Sequence, residues 1–170
     1  MSRFISSALL SFVLIAGPVA RAAPPPPVGT PEDFKAITEV TEEFQAALLA
    51  QDAKRLSALV LNPNILFTSP ASEAFLRKSR EMMGEGDDGV PIAGFRDFAR
   101  AVFHAKPAFQ EKFYNVKITQ DAHLAWVQFD YEFLQGGKVQ NYGVEHWNMV
   151  RRDGKWKIFS VVWSSHSAQP

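Results

Sequence analysis

Apolar positions divide the chain into a helical first half and a strand-rich second half. Phe34, Ile37, Val40, Phe44 and Leu48 follow one another at spacings of 3, 3, 4 and 4, which is one stripe of an amphipathic helix. Thr30-Pro31-Glu32-Asp33 predicts its start, with a hydroxyl able to cap, a proline where no N–H is needed, and acids at the positive end of the helix dipole. Asp52 predicts the cap of a second, shorter helix that turns Leu56, Leu59 and Val60 inward and stops at Asn62-Pro63. Ile65-Leu66-Phe67-Thr68 reads as a short strand. Ser72 to Met83 reads as a helix with Phe75, Leu76, Met82 and Met83 loosely on one side. The acidic Gly84-Glu85-Gly86-Asp87-Asp88-Gly89 run after it reads as a flexible flap. Phe95, Phe98, Ala99, Val102 and Phe103 describe a further amphipathic helix that ends before Pro107.

From Phe109 the period falls to two. Phe113 to Ile118 predicts one strand, and Gln120-Asp121-Ala122 a turn. Leu124 to Leu134 predicts a long strand, with Val127, Phe129, Tyr131 and Phe133 alternating against Gln128, Asp130 and Glu132. Gly136-Gly137 predicts the next hairpin turn. Asn141 to Val150 and Lys155 to Trp163 then form a closing hairpin around Arg152-Asp153-Gly154. Helices first and a strand meander afterwards give an α+β fold, with N-terminal helices packed against an antiparallel sheet.

The hairpin turn has two readings, and they differ in what faces what. A two-residue Asp153-Gly154 loop pairs Glu145 with Val162 and Trp147 with Ser160. A three-residue loop pairs Glu145 with Val161, Trp147 with Phe159 and Gly143 with Trp163. A slip of one residue turns the whole last strand over.

Composition places these elements in context. Arg3, the apolar stretch from Ile5 to Val19 and the small-x-small run Ala20-Arg21-Ala22 form the pattern of a secretory leader over residues 1–22. The expected product is exported, periplasmic or secreted, and begins with a proline-rich spacer over residues 23–32, where Pro24 to Pro27 favour an extended polyproline conformation. No later stretch is long and apolar enough to span a membrane. The chain of 170 residues carries 18 basic and 18 acidic side chains. The leader takes away Arg3 and Arg21, leaving a slight acidic excess, which argues against nucleic acid or an anionic membrane as partner. There is no cysteine, so disulfides, thiolate nucleophiles and cysteine metal sites are absent. His104, His123, His146 and His166 do not share a metal-binding spacing. No glycine-rich phosphate loop or nucleophile elbow occurs. No cofactor and no metal is expected.

Phe44-Gln45-Ala46-Ala47-Leu48-Leu49-Ala50-Gln51-Asp52, the Leu59 to Pro70 segment and Asp153-Gly154-Lys155-Trp156-Lys157-Ile158 together resemble the nuclear transport factor 2-like superfamily, which includes SnoaL-like and steroid-isomerase-like proteins. The resemblance covers residues 33–166 and leaves 167–170 as a tail. It implies a strongly curved sheet wrapped around helices as a cone with an internal pocket, and a homodimer formed through the outer sheet face. It also favours the three-residue hairpin loop, which puts Glu145, Trp147, Phe159 and Trp163 on the pocket side with Phe129 and Tyr131. Trp126, Gln128, Asp130, His146 and Asn148 then face outward. The steroid isomerases' oxyanion-hole tyrosine falls at Phe44 and their general base at Thr68 or Ser69. Their second oxyanion-hole acid falls at Glu145. One of three roles survives, so that reaction is not expected.

Glu145 among aromatics is expected to be desolvated and its carboxyl pKa raised. Two readings stand. A protonated Glu145 donates to a ligand carbonyl or serves as general acid, or it merely accepts from Tyr131, an indole or an Arg and holds the core. Tyr131 is the second catalytic candidate. Phe44, Thr68, Phe129, Trp147, Phe159 and Trp163 are the candidate ligand-binding residues. The expected function is binding of a small apolar or aromatic molecule in the cone pocket. The alternatives are a SnoaL-like enzyme doing acid-base chemistry with Glu145, and a dimeric interaction module without a ligand.

Overall fold

The computed structural model describes residues 29–91 and 94–168; the leader, most of the proline-rich spacer and the end of the tail lie outside the described residues. Helix α1 spans Pro31–Leu49 and begins where the capping pattern placed it, with the Thr30 hydroxyl accepting from the Asp33 N–H at 3.1 Å. Helix α2 (Ala53–Leu59) is capped by Asp52, whose carboxylate accepts from the Arg55 N–H at 2.9 Å. Strand β1 (Leu66–Thr68), α3 (Glu73–Met83) and α4 (Phe95–His104) follow. The meander is β2 (Phe109–Asp121), β3 (Leu124–Gln135), β4 (Lys138–Arg152), β5 (Lys155–Trp163) and the short β6 (His166–Ser167).

The sheet runs in the order β1-β5-β4-β3-β2, with β6 also paired to β4. The long strands are antiparallel as expected, whereas β1 lies parallel to β5 with Phe67 opposite Val161. The sheet is therefore mixed at that edge. The alternation read from β3 sets its two faces: Ala125, Val127, Phe129 and Tyr131 are buried, and Trp126, Gln128 and Asp130 are exposed. Ile37, Phe44 and Leu48 of α1, Leu56 of α2 and Phe95, Ala99 and Val102 of α4 join them in one continuous core. Helix α3 does not. Its Phe75, Met82 and Met83 are exposed and Ser79 is its one buried residue, because the helix packs against its own following loop rather than on the sheet. That loop is not free of α3: Ser79 donates to the Asp87 carboxylate, and Arg80 donates to the Asp87 carbonyl at 2.9 Å.

One polar clasp closes the base of the domain. Asp33, buried at the start of α1, accepts from the Trp156 indole at 3.0 Å, from Arg151 at 2.9 Å and from Gln120 at 3.0 Å. The Gln120 hydrogen bond, followed by those of Trp156 and Thr30 and the charge of Arg151, holds its carboxyl below the usual range against the opposing effect of burial. Three strands are thereby tied to the first turn of α1, and a buried carboxylate with this many donors is satisfied.

The closing hairpin follows neither single register in full. Arg152 pairs with Lys155, so Asp153-Gly154 is a two-residue loop. Both of its residues have positive φ, 50° and 72°, as a primed turn requires. This corrects the three-residue loop. The register then shifts between Met149, which pairs with Ile158, and Asn148, which pairs with Ser160. Phe159 is the extra residue of this bulge, half-buried and off the cavity wall, which corrects its placement on the pocket side. The extra residue moves the pairing of everything beyond it by one, so the far part of β5 faces the way the three-residue loop would have turned it. Beyond it Trp147 pairs with Val161 and Glu145 with Trp163, so Trp163 does share a face with Glu145.

Candidate functional site

Strand β2 begins at Phe109, ahead of the predicted Phe113. Its first turn of alternation carries Glu111 onto the inner face, opposite Phe133 of β3. Phe129 of β3 pairs with Glu145 of β4. The curved strands bring Glu111 and Glu145 to one cavity of about 160 Å³ whose walls are Phe67, Phe98, Tyr131, Phe133, Asn141 and Trp163. The aromatic side of the wall is continuous: the Phe67 ring centroid lies 4.6 Å from Phe98 and 5.0 Å from Trp163. Tyr131 stands at the β6 end, where its hydroxyl donates to Asn141 Oδ1 at 2.9 Å and lies 3.0 Å from the Ser164 carbonyl. Gly143 permits that approach, since a Cβ there would sit 2.1 Å from the Ser164 carbonyl oxygen. A larger depression of about 680 Å³ lies between α3 and its loop, reaching Ser165 beside this end of the sheet.

Both acids are out of water, with Glu111 6% and Glu145 3% exposed. Glu145 accepts from the Trp147 indole at 2.5 Å. Burial pushes its pKa up to about 7, with the indole hydrogen bond pulling the other way. Glu111 accepts no hydrogen bond among the described residues. Burial first, and the nearby charge of Glu145 second, raise its pKa well above the carboxylate range. Burial likewise raises that of Tyr131. Among the described residues no Lys, Arg or His lines the cavity. Burial therefore favours the protonated form of both carboxyls, and both face a largely apolar space. Among the described residues no three His, Asp or Glu side chains converge as a metal site.

No protein-family profile and no curated protein sequence matches the chain. Solved structures do. A nuclear transport factor 2-like protein of unknown function from Shewanella baltica superposes with a TM-score of 0.56 at 12% identity, covering 81% of this chain and 96% of that one. The fold is that of the nuclear transport factor 2-like proteins. A candidate dehydratase of the same group from Streptomyces avermitilis gives a TM-score of 0.59 at 18% identity, over 82% of this chain and 100% of that one. A candidate aromatic ring hydroxylase from Novosphingobium aromaticivorans gives 0.53 at 18% identity, over 82% and 91%.

Within this nuclear transport factor 2-like cone, Glu145, Tyr131 and Trp163 line the cavity. Phe44, Phe129 and Trp147 lie one layer beneath it as core: Trp147 is wholly buried, with ring centroids 5.0 Å from Phe44 and 5.2 Å from Phe129. Thr68 is buried beside the wall and donates to the Pro91 carbonyl at 3.3 Å. Of the two readings of Glu145, the indole contact is present and the cavity exposure is present as well. Sequence reasoning missed Glu111. A polar residue preceding a clear alternation looks like a strand end facing water. The available signal was its parity, since Glu111 lies an even step from Phe113 on the buried face.

Proposed function

We propose that the chain is an exported ligand-binding protein whose cone holds a small, mostly apolar or aromatic molecule against Glu145. The observation that carries this reading is a buried carboxyl at the wall of an aromatic cavity. Such sites pair an apolar lining with a few placed polar groups. The cavity volume of about 160 Å³ matches a ligand near the size of benzene, since engineered protein cavities of about 150 Å³ take up that molecule. Export rests on the leader pattern of residues 1–22. The test is native mass spectrometry of protein recovered from its own exported compartment, followed by calorimetric titration of the recovered molecule or of small aromatics. Binding in the micromolar range is expected, weakened about tenfold or more in Glu145→Gln if the carboxyl donates a hydrogen bond. Unchanged affinity across every ligand found would end this role for Glu145.

A second reading is favoured by Glu111. Two titratable groups on one cavity are what acid-base catalysis requires, and the fold neighbours include a candidate dehydratase. Turnover of a ligand identified as above, lost in Glu111→Gln, is the observation that would select it.

The outer sheet face supports a homodimer. Trp126, Tyr142 and Val144 are exposed there at 36, 48 and 41%, in a row with Asn148 and Asp130 on paired strands. Sedimentation at micromolar concentration is expected to give a dimer, and Trp126→Glu a monomer. A wild-type monomer under those conditions removes this interface.

A further inference from the structure

Two buried acids share the cavity, and among the described residues no positive group lines it to balance either of them. Glu145 has one hydrogen bond, from the Trp147 indole. Glu111 has none among the described residues. Phe67, Phe98 and Trp163 form a contiguous aromatic wall beside them. Buried carboxylates are stable when paired with a cation, and aromatic faces with nearby acids are the general means of holding an organic ammonium group. The site thus has both halves of a receptor for an organic cation.

We propose that the cavity takes a small organic cation, an alkylated or quaternary ammonium group, seated between Glu111, Glu145 and the Phe67–Phe98–Trp163 wall. This deepens the cavity reading above and rests on it. Without ligand, burial favours the protonated form of both acids. An entering cation restores the balance by letting one carboxyl ionise, and that proton leaves to solvent. The groups facing the pair are Glu111 from β2, Tyr131 from β3 and Glu145 from β4; α4 and β1 present only Phe98 and Phe67, and β5 presents Trp163. Tyr131 keeps its proton, so the proton released comes from the acid pair.

The experiment is isothermal titration of the full chain with tetramethylammonium and with tert-butanol, a neutral molecule of similar shape, at pH 7 in phosphate and in HEPES, two buffers without a free organic cation that differ in ionisation enthalpy. The cation is expected to bind about 30-fold more tightly, as a desolvated cation–π contact implies. Its apparent enthalpy is expected to differ between the buffers by the release of up to about one proton per cation. In Glu111→Gln/Glu145→Gln the preference for the cation over tert-butanol and the proton release disappear. Equal binding of the two probes overturns the proposal and leaves a site for neutral ligands; cation binding without proton release overturns it by showing that the acids were ionised before the cation entered. Failure of both probes, together with failure of neutral aromatics, removes the cavity reading itself. Should the double variant not fold, the buffer dependence of the wild-type protein decides.

Discussion

Trp147→Ala is expected to lower the unfolding free energy by about 4–5 kcal/mol, at the upper end for deletion of a buried indole. Trp147 has no solvent exposure and packs its ring 5.0 Å from Phe44, 5.6 Å from Phe113 and 5.2 Å from Phe129. These contacts bridge α1, β2, β3 and β4, so no single element can relax into the space left behind. The same change removes the donor to Glu145, whose carboxyl then has nothing holding its pKa down against burial. Urea denaturation measures the first effect. A loss below about 1.5 kcal/mol would mean that the site collapses and that the indole is not the centre of the core.

Stability is expected to fall as pH rises from about 4.5 to beyond 7, by on the order of 3 kcal/mol from Glu145 alone. Burial lifts its carboxyl from the ordinary 4.5 to about 7. Below pH 4.5 the acid is protonated in both states. Between the two values the folded protein keeps its proton and the unfolded chain releases it, so rising pH favours unfolding until the folded form ionises too. Glu111, also raised by burial, acts with the same sign. Asp33 acts with the opposite sign, and only in acid: its lowered carboxyl contributes stability above pH 3.8 that is lost as pH falls through its folded value. Maximum stability is therefore expected in mildly acid solution. Melting curves from pH 4 to 8 test this, and Glu145→Gln should flatten the slope and stabilise the protein at pH 7. A wild-type melting temperature that climbs from pH 5 to 7 would show that Glu145 is ionised and solvated.

Much of this was open to reading along the chain. The start of α1 rests on Thr30, Pro31 and acids of the first turn, all local effects. The faces of β3 follow from alternation over Ala125 to Tyr131, because period two has a single meaning on a strand buried on one side. The closing hairpin was harder. Its turn obeyed the local rule for Asp-Gly, yet the bulge at Phe159 depends on how β5 fits between β4 and β1, which no window of residues contains. Helix α3 carried an apolar pattern with no sheet surface to cover, and its Phe75, Met82 and Met83 stay in solvent.

The sequence by itself determined the order of elements, the two faces of the sheet and the presence of one acid, Glu145, among aromatics. Those properties arise from periodicity, capping and turn chemistry, each confined to a few neighbouring residues. Only the tertiary structure decided that Glu145 has a companion. Glu111 and Glu145 stand on strands separated by β3 and meet through the curvature of the sheet. Whether a carboxyl holds its proton depends on everything packed around it, and those neighbours come from distant parts of the chain.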